Sequence, residues 1–295
     1  MSALLRFHLW PLRVLWVVLA LAASASATDA LDGRSTAVSG AASVAGWAAW
    51  GVALVALLVP RTLSLTVVRI LGPAGAAVAL GAVAAGSEST VLDGLTVLVA
   101  ALVVVVALAP WTTDAMVDGS SYGPERRLAL RTPLALALLA VLTWIVMFAG
   151  ASAAVLLLAT GQWAGGLAAL VLGVAVVGFG ARSIHQLSRR WLVLVPTGMV
   201  IHDPLVMPEP QLFLRQTMAR LGPAEEVVAD DVVTEDLTAA ASGLVMSITL
   251  SEPVELLVRE GNRGTTLRPV DRVLFSPALP LELLAEGRTR RLPVA

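Results

Sequence analysis

The sequence predicts an integral membrane protein: an all-α bundle of about six transmembrane helices, then a cytoplasmic, mainly-β domain closed by a C-terminal helix. Three observations predict it. Of the 295 residues, 57% are hydrophobic and 14% charged, where a water-soluble domain carries about 25% charged residues. Apolar stretches near the roughly 20 residues that span a bilayer recur six times before residue 185. Charge density then rises: residues 1–185 hold 9 Arg and 7 acids, and residues 186–295 hold 11 Arg and 14 acids. This balance argues against a disordered chain, a basic nucleic-acid-binding domain and a typical cytosolic enzyme. No nucleic-acid partner is expected.

The predicted spans run over about 9–27, 41–59, 66–86, 90–109, 133–158 and 163–181, within a membrane domain at 1–185. Pro60 ends the second, Pro73 lies inside the third and Pro110 follows the fourth. All six must be helices, because a lone strand cannot satisfy its backbone in lipid. The first stretch has a second reading. Arg6 and Arg13, an apolar run and the small residues Ala22–Ala27 also describe a cleaved leader. The sequence Trp10-Pro11-Leu12-Arg13 favours a retained helix with an interfacial anchor.

Arginine placement orients the spans, since short cytoplasmic segments carry the Arg excess. Arg6 and Arg13 lie before or at the start of the first span, Arg61 and Arg69 lie between the second and third, and Arg126, Arg127 and Arg131 lie between the fourth and fifth. Arg182, Arg189 and Arg190 follow the sixth, while the opposite loops hold only Arg34. Both the N-terminus and the C-terminal domain are therefore expected in the cytoplasm. All basic residues are Arg and none is Lys, amid abundant Ala, Val, Leu and Gly. That bias points to a GC-rich bacterial genome and hence to a bacterial cytoplasmic membrane. The lipid bilayer is the first partner implied.

Ionisable residues inside a membrane are functional candidates by default, and here they are sparse. Asp93 sits in the first turn of the fourth span, where the helix dipole favours an acid, and Arg69 can snorkel from the third. Nothing charged occupies a predicted midplane, which disfavours ion-coupled transport. Trp111, Trp163 and Trp191 fall at span ends, as interfacial anchors do, and Trp144 is expected to pack between helices. Gly165, Ala169 and Gly173, four apart on the sixth span, are candidates for helix packing within the bundle or for a homo-oligomer seam.

The connection at 111–132 is long for a compact bundle and is expected to be a cytoplasmic loop, functional or a mere topology determinant. It carries Tyr122, Glu125, Arg126, Arg127 and Arg131, and with Arg189, Arg190 and Trp191 these are the candidate contacts to lipid phosphate or to a partner protein.

From residue 189 to 295 the hydrophobic period shortens. Trp191–Val195 and Met199–His202 read as strands around Pro196-Thr197-Gly198, with further strands at 212–215, 217–221, 245–250, 254–259, 265–268 and 272–275. Gly261-Asn262-Arg263-Gly264 reads as a turn, and Pro280 opens a helix over 281–291. Six acids at 225–236 lack the spacing of a calcium loop and read as a solvated loop. There is no P-loop, no G-x-G-x-x-G and no G-x-S-x-G, and cysteine is absent. His202-Asp203 on a hairpin could suggest a base or a ligand, but a structural or surface histidine is the expected reading. No cofactor, metal or catalytic residue is expected.

The order of several strands closed by one helix resembles bacterial pleckstrin-homology-like domains. A small β-barrel or sandwich is the alternative. Through HLWPLRVLW at 8–16, DGSSYGPERR at 118–127 and RRWLVLVPTGMVIHDP at 189–204, the chain is similar to a group of actinobacterial multi-pass membrane proteins. That resemblance implies a topology and no activity. The function expected is non-enzymatic: a membrane anchor for a cytoplasmic domain that binds a partner protein or lipid headgroups. A transporter or lipid-translocating protein is the runner-up, and a membrane enzyme working at the cytoplasmic face the third reading.

Overall fold

The computed structural model describes residues 8–86, 90–225, 232–260 and 264–295. Helix α1 covers Trp10–Leu31, α2 Thr36–Leu58, α3 Thr62–Ala85 and α4 Val91–Leu108; a short α5 follows at Pro110–Asp118. After strand β1, Arg126–Ala129, come α6 (Leu134–Ala159) and α7 (Trp163–Ser188). Every one of these helices except α5 is long and apolar enough to cross a membrane. The hydropathy-based spans agree in number. Helix α7 outlasts its span, because Arg182 and His185 leave the apolar window without breaking the helix.

Local chemistry sets the ends. Ser35 caps α2 by accepting from the Val38 amide. Thr90 and Asp93 close a reciprocal capping box on α4, and the Ser26 hydroxyl of α1 donates to Asp93 Oδ1 at 2.6 Å. Pro110 has no N–H for the Val106 carbonyl four residues earlier. The Thr112 hydroxyl donates to that oxygen at 2.7 Å instead. Pro73 lies inside α3 and strips the Arg69 carbonyl of its helical donor. One residue on, the Ile70 carbonyl accepts the Trp144 indole N–H at 2.9 Å, so Trp144 does pack between helices.

Two units partition the chain: Val117–Leu138 with Gln186–Ala295, and Ser2–Met116 with Leu139–His185. In the helical unit, α1 to α4 pack closely through small residues. Gly72 lies against Ala107, and Gly75 takes the Trp16 ring where any side chain would collide. Trp16 and Trp50 exchange hydrogen bonds, each indole N–H donating to the other's carbonyl, at 3.0 and 3.2 Å. Between α6 and α7 the seam is glycine at seven-residue spacing. Gly166 faces Leu158, Gly173 faces the Gly150 backbone, and Gly180 faces Met147 and Thr143. Gly173 is the predicted stripe residue that reaches this seam. Gly165 makes ordinary contact with Leu157, and Ala169 is half-buried.

The other unit is a β domain with a C-terminal helix. Its strands are β1, β2 (Trp191–Val195), β3 (Gly198–His202), β4 (Gln211–Leu214), β5 (Met218–Pro223), β6 (Thr234–Asp236), β7 (Met246–Glu260) and β8 (Gly264–Phe275); α8 (Pro280–Thr289) closes it. One sheet runs β1-β2-β3-β4, all antiparallel. The second runs β5-β7-β8-β6, with β6 parallel to β8. Both sheets and α8 share one core, in which Leu192, Ile201, Phe213, Ile248, Phe275 and Leu283 are sealed from solvent. The stretches predicted at 245–250 and 254–259 are one long β7 with an irregularity between Thr249 and Val254. Those at 265–268 and 272–275 are one β8. Of the turn predicted at 261–264, residues 261–263 lie outside the described residues, as do the acids Glu226, Asp230 and Asp231, and Gly264 opens β8.

The 111–132 connection differs from the expected loop. It begins in α5 and ends in β1, which pairs with β2 from Arg126–Leu194 to Ala129–Trp191. Its other edge is bonded too: Ala278 N donates to the Ala129 carbonyl at 2.8 Å, and Arg131 N to the Ser276 carbonyl at 2.8 Å. The β domain is therefore discontinuous in sequence, with the α6–α7 hairpin inserted between its first two strands. The physical reason is pairing: Leu128 finds an apolar place opposite Leu192 that no loop could offer it.

Candidate functional site

The site is built where β1 meets β2 and β3, which brings together residues more than sixty positions apart in sequence. The pleat decides the fate of neighbouring charges, because successive side chains leave opposite faces. Arg126 lies opposite Leu194 on the inner face and is buried. It reaches Asp118 at 3.1 Å and Glu282 of α8 at 3.0 Å. Arg127 lies opposite Val193 on the outer face, with its guanidinium 5.7 Å from the Trp191 ring centre. Glu125 stands 3.5 Å from Arg127.

Trp191 stacks in turn on His202, 4.6 Å away and nearly parallel. The His202 Nδ1 faces the Arg189 carbonyl at 2.8 Å. A carbonyl only accepts, so Nδ1 donates to it. Arg190 points inward and pairs with Asp203, both almost wholly buried, Nη2 to Oδ2 at 2.6 Å. Asp203 also accepts the Leu205 amide, and Arg190 donates to the Arg131 carbonyl. A buried pair of this quality fixes geometry more than it adds stability. It ties the end of β3 to the residues just before β2 and just after β1.

The predicted contact residues thus divide. Arg126 and Arg190 are committed inside the domain, which removes them from its surface. Arg131 donates from Nε to the Pro277 carbonyl at 3.3 Å and lies across Gly243. Arg127 and Trp191 come together on the outer face, beside Glu125, and the Arg189 carbonyl meets the His202 ring stacked on Trp191. Tyr122, 84% exposed, stands on a turn that Gly123 completes with a positive φ. Asp118 supports this turn, accepting from the Ser121 hydroxyl and the Arg127 amide.

Around Arg127 and His202 the outward face is apolar, and residue-by-residue reading missed it. One rung crosses four strands as Arg127, Val193, Val200 and Leu212; beside it run Ala129, Trp191 and His202, then Val195, Gly198 and Leu214. The signal lay in β2 itself, WLVLV, a run with no polar alternate. Among the described residues no three His, Asp or Glu side chains converge as a metal site requires. The chemistry available here is cation–π stacking, apolar contact and anion pairing by Arg. Comparison with family models, with curated proteins and with solved structures gives no match.

Proposed function

We propose that this chain is a non-enzymatic multi-pass membrane protein of the bacterial cytoplasmic membrane that holds a cytoplasmic β domain at the bilayer for binding a partner protein or lipid headgroups. One observation carries the reading. The first sheet is closed by a strand that precedes the α6–α7 hairpin and a strand that follows it. The chain passes from one unit to the other at 116–117, 138–139 and 185–186, and each crossing lies within a helix. Three crossings within helices, rather than one crossing in a loop, support an anchoring role for the membrane part. The Arg alternation across the spans supports the cytoplasmic side. Two four-stranded sheets and a closing C-terminal helix support a pleckstrin-homology-like arrangement, with an added parallel strand in β6 and a first strand donated from between membrane helices.

The test is photo-crosslinking in native membranes from full-length chain with a photoreactive residue at Tyr122 or at Arg127. The reading predicts discrete protein or lipid adducts at one or both positions. Diffuse labelling indistinguishable from that of a probe at the exposed Ala219 of β5 would contradict it.

A further inference from the structure

An antiparallel sheet that packs one face on a core normally turns polar side chains to water on the other. The first sheet does not. Its outward rungs carry Trp191, Val193, Val195, Val200, Leu212 and Leu214, and the polar members among them are Arg127 and His202. Leu212 is 41% exposed, and Trp191, Val195, Val200 and Leu214 keep intermediate exposure, while Val193 and Ala129 at the β1 side of the face are already buried. An apolar strip of this kind calls for a cover.

Chain continuity and charge identify the cover. Trp191 lies three residues past Ser188, where α7 ends, and Ala129 lies five residues before Leu134, where α6 begins. These two are cross-strand partners, so the first rung of the face is held from both ends of a bilayer-spanning hairpin. Past the apolar window that ends near 181, the last seven residues of α7 rise about 10 Å and three extended residues add about 10 Å at most, so the rung starts within about 20 Å of the hydrocarbon edge, next to a headgroup layer of roughly 5–8 Å. The residue types are interfacial as well: an indole, aliphatic side chains and guanidiniums. Arg127 sits on the face, Arg189 precedes it and Arg215 follows Leu214 at its far end, while Glu125 is the acid beside Arg127. Neither Arg127 nor Trp191 is sealed in the core, unlike Arg126 and Arg190.

We propose that the outward face of the first sheet docks on the anionic phospholipid surface of the same membrane, aliphatic side chains and Trp191 against the acyl boundary and Arg127 at the phosphates. This deepens the reading given above and rests on it for the side of the membrane the domain occupies. It makes the bilayer itself the occupant of this face, and leaves the second sheet and the Tyr122 turn to any protein partner.

The absence of cysteine makes the test clean. Full-length Leu212→Cys, Leu214→Cys and, on β5 of the second sheet, Ala219→Cys are labelled with a fluorophore. Each is reconstituted in nanodiscs of phosphatidylcholine alone or with phosphatidylglycerol. Quenching by lipids spin-labelled in the headgroup region is then read. The expected result is several-fold stronger quenching at positions 212 and 214 than at 219 in phosphatidylglycerol discs. That difference should shrink with Arg127→Gln or with high salt, which screens exposed charges beyond a few ångströms. Equal quenching on both sheets would overturn the proposal, and so would quenching indifferent to lipid charge. Protection of positions 212 and 214 from aqueous maleimide in native membranes, without quenching in purified discs, would assign the face to a protein. That outcome defeats the lipid surface as occupant while the reading of a membrane-anchored binding domain stands.

Discussion

Two outward rungs of the β domain make opposite use of one architecture. In the first sheet the rung reads Arg127, Val193, Val200, Leu212; in the second it reads Arg220, Thr249, Arg272, Thr234. Inward, the sheets are alike, with Leu192, Leu194, Met199 and Ile201 on one side and Leu221, Ile248, Val273 and Phe275 on the other. The core explains the inner faces of both. It explains neither outer face, and the contrast shows that outward residues report what each sheet meets beyond its own domain. On the second sheet the polar residues find polar partners: Arg272 is buried and donates to the Glu225 carbonyl, Arg220 pairs with the Glu225 carboxylate, and Thr234 is exposed to water. The Val and Leu of the first have no use for such partners.

Substitutions can break or sharpen this contrast, beginning with the largest effect. Arg190→Ala strands the Asp203 carboxylate in the core and is expected to cost about 3–5 kcal/mol. The reading is denaturant unfolding of the full chain in micelles, followed through the β signal by circular dichroism. Ile201→Ala, on the inner face of β3, should cost about 2–5 kcal/mol in the same assay. Gly198→Ala places a Cβ against the Phe213 carbonyl oxygen, with the Arg215 amide nitrogen 3.0 Å away. Overpacking of that kind costs about 1–3 kcal/mol or more. The outer faces come last. Leu212→Ser in the first sheet and Thr249→Val in the second should each stay within about 0.5 kcal/mol of the unsubstituted chain. The first of them should nonetheless weaken association with anionic lipid, measured by headgroup quenching, while the second leaves it unchanged. A large stability loss from Leu212→Ser would show that the face belongs to the fold and not to a surface.

Hydropathy made the six spans legible because lipid tolerates almost nothing but apolar helices. It placed the end of the last one early because leaving the bilayer does not end a helix. The β2–β3 hairpin was legible from WLVLV-PTG-MVIH, where a turn sequence separates two apolar runs. Strand β1 was not. Arg126-Arg127-Leu128-Ala129 shows no pattern of its own and becomes a strand only through β2, sixty residues on, and through the backbone of residues 276–278. Strand β6 was hidden for the same reason: three residues at the end of an acidic run, ordered by pairing with β8. In the candidate site, the residue list held Arg127 and Trp191 but could not tell them from Arg126 and Arg190. That distinction is one of pleat parity, which appears only when the strand is known. The glycine seam of α6 and α7 was half-seen, since Gly173 belongs to both a spacing of four and a spacing of seven.

The central claim is that the β domain closes across the membrane hairpin, β1 on β2. It is tested most directly in the cysteine-free chain carrying Arg127→Cys and Val193→Cys, which lie opposite each other, within reach of a disulfide. A protease site inserted between α6 and α7, at Thr160–Gln162, then reports the bond on a gel. Oxidation in intact membranes followed by cleavage should leave the two fragments joined until a reductant is added. Fragments that separate without reductant, while each cysteine still reacts with maleimide, would contradict the account.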